Sequence, residues 1–191
     1  MSTLSWFRKS LVPHALRGKK AFLRPPQVSD FEAWSRLRQE SRAFLEKWEP
    51  SWSFDEFSPA AFRQRVRIYQ RREMDDEGYT FFVFDHQSGE LVGGLSLSHI
   101  RRGVSQSATL GYWMGEVHAG QGYMKDAILA IVAAAFPVFG LHRLEAACLL
   151  TNETSRHLLL KCGFVPEGLA KAYVKIAGEW EDHLLFARIT D

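Results

Sequence analysis

Gly120-Gln121-Gly122 stands just ahead of residues 124–132, a mostly apolar run with the length and composition of a helix. A helix start leaves four backbone N–H groups without partners, and their dipoles favour an anion. Glycine lets the chain approach that anion closely. Such a turn suits a phosphate or pyrophosphate, and the competing reading is a tight turn with no ligand. Two standard phosphate loops are absent: there is no GxxxxGK[ST], and the GxGxxG fingerprint is not completed.

A second group lies about 30 residues further on, at Asn152-Glu153-Thr154-Ser155, followed by Leu160-Lys161-Cys162-Gly163-Phe164 and Glu167-Gly168. Taken alone, Asn152 reads as a helix N-cap and Gly163 as the residue that ends that helix. The two cysteines, Cys148 and Cys162, form no CxxC pair, and the seven histidines form no HExxH. No metal site is expected, and both thiols are expected to be reduced and buried.

The elements that must position these residues follow from periodicity. Residues 20–24 read as a strand ended by Pro25-Pro26. Ser29 and Glu32 have capping-box spacing ahead of a helix carrying Phe31, Trp34 and Leu37. Ser58-Pro59 opens a second helix that runs to about Asp75. The period then shortens: 79–85 and 91–100 read as a hairpin, and 107–113 as a third strand. After the helix at 124–132 come a strand at 143–150, a helix at 154–162, a strand ending at 176 and a last strand at 183–189. The order βααβββαβαββ implies an α+β fold, a mixed sheet with helices on both faces. Residues 1–18 are expected to be an N-terminal extension and 19–190 a single domain.

The chain has 191 residues, 46% of them hydrophobic, enough for one sizeable core. Lys plus Arg is 24 and Asp plus Glu 22, a balance that gives no reason to expect nucleic acid. A cluster at Arg63, Arg65, Arg67, Arg71 and Arg72 reads either as a basic patch or as a solvated helix face. No apolar run reaches membrane-spanning length, and residues 1–18 lack a signal-peptide core, so a cytoplasmic protein is expected.

Taken jointly, the motifs resemble the coenzyme-binding core of the GNAT (GCN5-related) N-acetyltransferase superfamily. They are the strand into Gly-x-Gly and helix, and strand-Asn-x-x-Ser-helix-Gly-Phe-x-x-Glu-Gly. Leu110-Gly111-Tyr112-Trp113, 141–146 and Gly178-Glu179-Trp180-Glu181-Asp182-His183 are similar to the branch of ribosomal-protein alanine N-acetyltransferases (RimJ-like). The resemblance implies acetyl-CoA as co-substrate, without a metal. The pyrophosphate is expected on the backbone amides of Ala119, Gly120, Gln121, Gly122, Tyr123 and Met124. The pantetheine arm is expected along Tyr112, Trp113 and Met114. Asn152 is expected to contact the pantetheine region, and Ser155 to lie near the thioester sulfur. Ala119 replaces the Gln or Arg usual in the superfamily, and Met124 the last Gly or Ala. Leu159 stands where many members carry a tyrosine acid, so Ser155 becomes the expected acid.

The acceptor amine must be neutral to attack. An α-amine titrates at about 7.7–8.0 and lysine at about 10.4, a gap worth about 3.5 kcal/mol at neutral pH. An N-terminal amine therefore needs only a weak base. Glu145 is the first side-chain expectation for that role and Glu116 the second. Trp34, Phe44, Trp48 and Trp52 are expected either in the core or around the acceptor, with Trp48 and Trp52 assigned to the acceptor site. The expected partner is a protein N-terminus, a ribosomal protein included, for a monomer or homodimer. Two alternatives stay open: a small-amine acetyltransferase using the acidic run Asp75-Asp76-Glu77, and a non-catalytic acyl-CoA-binding or ribosome-associated protein.

Overall fold

The computed structural model describes residues 15–190. Leu16–Arg17 (β1) and Ala21–Arg24 (β2) open a sheet continued by Tyr79–Asp85 (β3), Leu91–Arg101 (β4) and Ser107–Met114 (β5). Arg143–Leu149 (β6), Val165–Ile176 (β7) and Glu179–Ile189 (β8) complete it. The helices are Phe31–Glu40 (α1), Arg42–Leu45 (α2), Pro59–Met74 (α3), Tyr123–Ala135 (α4) and Glu153–Lys161 (α5). In space the strands run β1-β2-β3-β4-β5-β6-β8-β7. Every neighbouring pair is antiparallel except β5–β6.

The mixed sheet and the expected order of elements are present, with β1 and the single-turn α2 in addition. β1 falls within the stretch read as an extension; residues 1–14 lie outside the described residues. The first cap is not the expected one. Asp30, not Glu32, reaches back, accepting the backbone N–H of Gln27 at 2.7 Å and so capping the 3-10 turn Val28–Asp30. Arg24 then pairs with the same carboxylate. Ser58 does cap α3, accepting from the N–H of Ala61.

Both faces of the sheet are covered, which is why β3 is apolar at nearly every position. Tyr79, Phe81 and Val83 join a core beneath α4 and α5, built on Ile128, Ile131, Leu144 and Leu159. Phe82 and Phe84 turn to the other face and pack with Trp34, Leu37, Phe62 and Val66 of α1 and α3. Trp34 is 2% exposed, so it belongs to the core and not to an acceptor site.

The parallel pair in the middle is short. Ser107, Ala108 and Thr109 match Arg143, Leu144 and Glu145, and the register ends there. Beyond it β5 follows β4 as far as Met114, while β6 follows β8 as far as Leu149. Leu110–Met114 therefore presents an unpaired edge to a wedge-shaped gap between the two strands.

One carboxylate ties the first strands to the helix that follows the gap. Asp126, in the first turn of α4, accepts the backbone N–H groups of Lys19, Lys20 and Ala21 at 2.9, 2.8 and 3.0 Å. Burial opposes its charge, but the three donors and nearby His86 outweigh that, and its pKa is held below the ordinary value. Asp126→Asn should lower stability by about 1.5–3 kcal/mol in urea unfolding at pH 7. A carboxylate with a lowered folded pKa stabilises above its unfolded pKa and loses that effect as pH falls through the folded one. The difference between the two proteins should therefore shrink only below about pH 4.

Candidate active site

The gap between β5 and β6 ends at its open side in the turn that leads to α4. A 3-10 turn, Glu116–His118, brings the chain to Gly120 (φ +74°) and Gly122 (φ +87°), both left-handed conformations that suit glycine. Gly122 is the N-cap of α4 and has no side chain to satisfy it. The N–H groups of Tyr123, Met124 and Lys125 thus have no helical partner. Ala119 is different: its N–H donates to the carbonyl of Glu116, so the free donors begin at Gly120. Gln121 turns its amide onto the carbonyl of Val117, and Lys20 Nζ donates to the Gln121 carbonyl from the rim. A methyl group added at Gly120 or Gly122 would meet nothing within 4 Å. The turn is an open cradle of N–H groups with a cation beside it, and it fits a phosphate or diphosphate.

Tyr112 and Ser155 face each other across the gap. Tyr112 projects from β5 toward the α4/α5 face and is packed on that core. Its hydroxyl lies 2.7 Å from Ser155 Oγ on α5. Burial pushes the Tyr112 phenol well above its ordinary pKa, against the Ser155 hydrogen bond, so the phenol stays protonated. Asn152 caps α5 by accepting the Ser155 N–H at 3.0 Å, which fixes the serine at the first turn. Leu159 is completely buried in the core, so the phenol missing from α5 has a counterpart supplied by β5. Tyr112 stands 43 residues before Ser155, and nothing in the spacing of the two revealed their contact.

Trp113 contributes only backbone to the gap. Its side chain packs edge-on against Phe82, with the Arg38 guanidinium 5.0 Å from its ring. Met114 joins the core on the α4/α5 face. Cys148 and Cys162 are buried free thiols, and burial raises the pKa of each. Among the described residues no group of three His, Cys, Asp or Glu side chains could hold a metal ion.

On the opposite face of the sheet, beside the closed end of the gap, lies a cavity of about 540 Å³. Glu145, Ala147, Glu167, Tyr173 and His183 line it, together with Thr109 and Leu110 at the point of divergence. Glu145 is held by Arg143 Nε at 2.9 Å, and Arg143 also pairs with Glu167. Glu116 is exposed, and its N–H donates to Ser41 Oγ.

Trp48 and Trp52 do not line the cavity. Trp52 Nε1 donates to Glu49, and Arg38 lies 4.6 Å over its ring. The carbonyl of Glu49 accepts the N–H of Ala177, so the tip of the β7–β8 hairpin is bound to the loop that carries both tryptophans. The arginine run on α3 is partly consumed internally, by Arg65–Glu56 and Arg71–Asp75.

The model of the acetyltransferase (GNAT) domain family matches residues 20–165. The chain belongs to the GNAT acetyltransferase family. A probable N-acetyltransferase of Bacillus subtilis, YjcK, is 38% identical over 172 residues, covering 90% of this chain and 95% of YjcK. The [ribosomal protein uS5]-alanine N-acetyltransferase of Escherichia coli is 32% identical, with 85% of each chain covered. Among solved structures, Mycobacterium smegmatis RimJ in complex with CoA-disulfide superimposes with a TM-score of 0.85 at 31% identity, covering 92% of this chain and 86% of that one. This GNAT enzyme is therefore an N-acetyltransferase of the RimJ type.

Gly120→Ala and Gly122→Ala should each lower the stability of the acetyltransferase by about 1–2 kcal/mol, through left-handed backbone strain alone, since neither methyl group clashes. Urea unfolding of the two variants checks this.

Proposed function

We propose that the enzyme transfers the acetyl group of acetyl-CoA to the N-terminal α-amine of a protein, an alanine or serine end, with a ribosomal protein as the foremost acceptor. The carrying observation is one geometry: a cradle of N–H groups, an unpaired strand edge and a hydroxyl pair aligned along a gap, with a cavity beside its closed end. The name of the E. coli relative supports the choice of acceptor.

In this reading Gly120–Lys125 hold the diphosphate, and the β5 edge at Tyr112, Trp113 and Met114 pairs with the pantetheine arm as a further strand would. The arm runs back toward Leu110, which brings the thioester to the closed end of the gap. Asn152 fixes α5 so that Ser155 meets the sulfur. Ser155 passes the leaving thiolate its proton, and Tyr112, kept protonated by burial, donates into Ser155 Oγ. Most of the rate comes from holding amine and thioester in line and from backbone donors on the carbonyl.

Glu145 and Glu167 set two carboxylates against the single guanidinium of Arg143, so the cavity favours an incoming ammonium. A small polyamine acceptor is less well served. Two of the three carboxylates of that acidic run are engaged, Asp76 by Arg102 and Tyr79 and Asp75 by Arg71. Among the described residues no helix is long and apolar enough to cross a membrane, and our reading is of a cytoplasmic enzyme.

Peptides with a free N-terminal Ala or Ser should release CoA from acetyl-CoA, and the same peptides blocked at the N-terminus should not. Ser155→Ala should lower kcat about 10²-fold or more while calorimetry shows acetyl-CoA binding within a few-fold of wild type. Binding without turnover on any free N-terminus would overturn the assignment.

A further inference from the structure

His183 lies in β8, is 5% exposed, and lines the cavity. Its Nδ1 is 3.0 Å from the carbonyl oxygen of Glu181. A carbonyl can only accept, so Nδ1 carries the proton, and in the neutral ring Nε2 is an acceptor. Among the described residues Nε2 has no hydrogen-bond partner. Tyr173 packs against the ring with centroids 5.7 Å apart. The site therefore contains a buried imidazole with its tautomer set and its basic nitrogen free.

The register places this base on the acceptor side. His183 pairs with Leu149 and Leu185 with Ala147, so His183 shares a sheet face with Ala147 and Glu145. Tyr112 and Ser155 meet on the opposite face. The charged and titratable groups around the cavity are Glu145 and Arg143 from β6, Glu167 and Tyr173 from β7, and His99 from β4. Glu145 and Glu167 are both committed to Arg143. Asp182, the residue before His183, accepts the N–H of Ala172.

We propose that His183 is the general base, taking a proton from the acceptor ammonium through Nε2; this rests on the acetyl transfer read above. The ammonium has three protons to place. The first goes to Nε2. The neutral amine then attacks, the C–N bond forms and the C–S bond breaks. The second proton goes by way of Ser155 to the thiolate, giving CoA thiol, and the third stays in the amide. His183 returns its proton to solvent. The first proton thus leaves on the cavity side of the sheet, and the second reaches the thiolate through Ser155 on the α4/α5 side. An imidazole is matched to an α-amine, at about 7.7–8.0, far better than to a lysine at about 10.4.

His183→Gln should lower kcat/KM for an N-terminal peptide by about 10²–10³-fold, with acetyl-CoA binding unchanged in calorimetry. The acid limb of its kcat/KM against pH should lie at the pKa of the amine itself, about 7.7–8.0, and above that of the wild type. A folded variant that keeps the wild-type limb overturns the proposal. Independently of any variant, ¹⁵N NMR of the unaltered protein should show His183 with Nδ1 protonated and Nε2 bare; an Nε2–H tautomer overturns it. If the wild-type enzyme acetylates no N-terminal peptide, the acetyl-transfer reading fails instead, and the NMR result stands apart from that outcome.

Discussion

Past Thr109 and Glu145, β5 and β6 no longer share hydrogen bonds, and the rest of the site depends on that parting. Each strand is held more firmly by its other neighbour, β5 by β4 and β6 by β8, and antiparallel pairing is the stronger kind. The sheet therefore opens instead of bending as one. An opened sheet exposes backbone donors and acceptors that any extended molecule with amide groups can satisfy. The gap is thus bounded by unmade main-chain bonds as much as by side chains.

The gap also has two differently furnished sides. Strand alternation sends Tyr112 to the α4/α5 face, where Ser155 waits, and sends Glu145 and Ala147 to the face that carries the cavity. A group in the gap is reached from both sides at once. That arrangement needs rigid flanks. On one side Asp126 binds the start of the sheet to α4 through three backbone donors. On the other, Arg38 pairs with Glu49 and lies against Trp52 and Trp113, joining α1 to the aromatic loop and to β5. Arg38 Nε is buried and without a partner, a cost carried by a guanidinium that spans three elements.

Much of this was legible in local sequence, because local rules govern it. The Gly120-Gln121-Gly122 turn needs φ above zero twice, and both glycines have it. Asn152 and Ser58 are cap residues by type and spacing, and both caps form. The first cap is not legible locally, because Asp30 and Glu32 are both acidic and near a serine; Asp30 takes the role while also pairing with Arg24 of β2. Trp34 and Trp52 looked alike in sequence. One is sealed between Phe62 and the sheet, and the other is held by Arg38 and Glu49, a difference set by packing.

The sequence by itself determined the order of elements, the Gly-x-Gly turn into α4 and the serine at the start of α5, since each is set by residues a few positions apart. The tertiary structure alone decided which hydroxyl backs Ser155, which cation holds Glu145 and which nitrogen of His183 is free. Those depend on register between strands far apart in the chain, and a register is chosen by the burial of whole faces, which no short stretch of sequence contains.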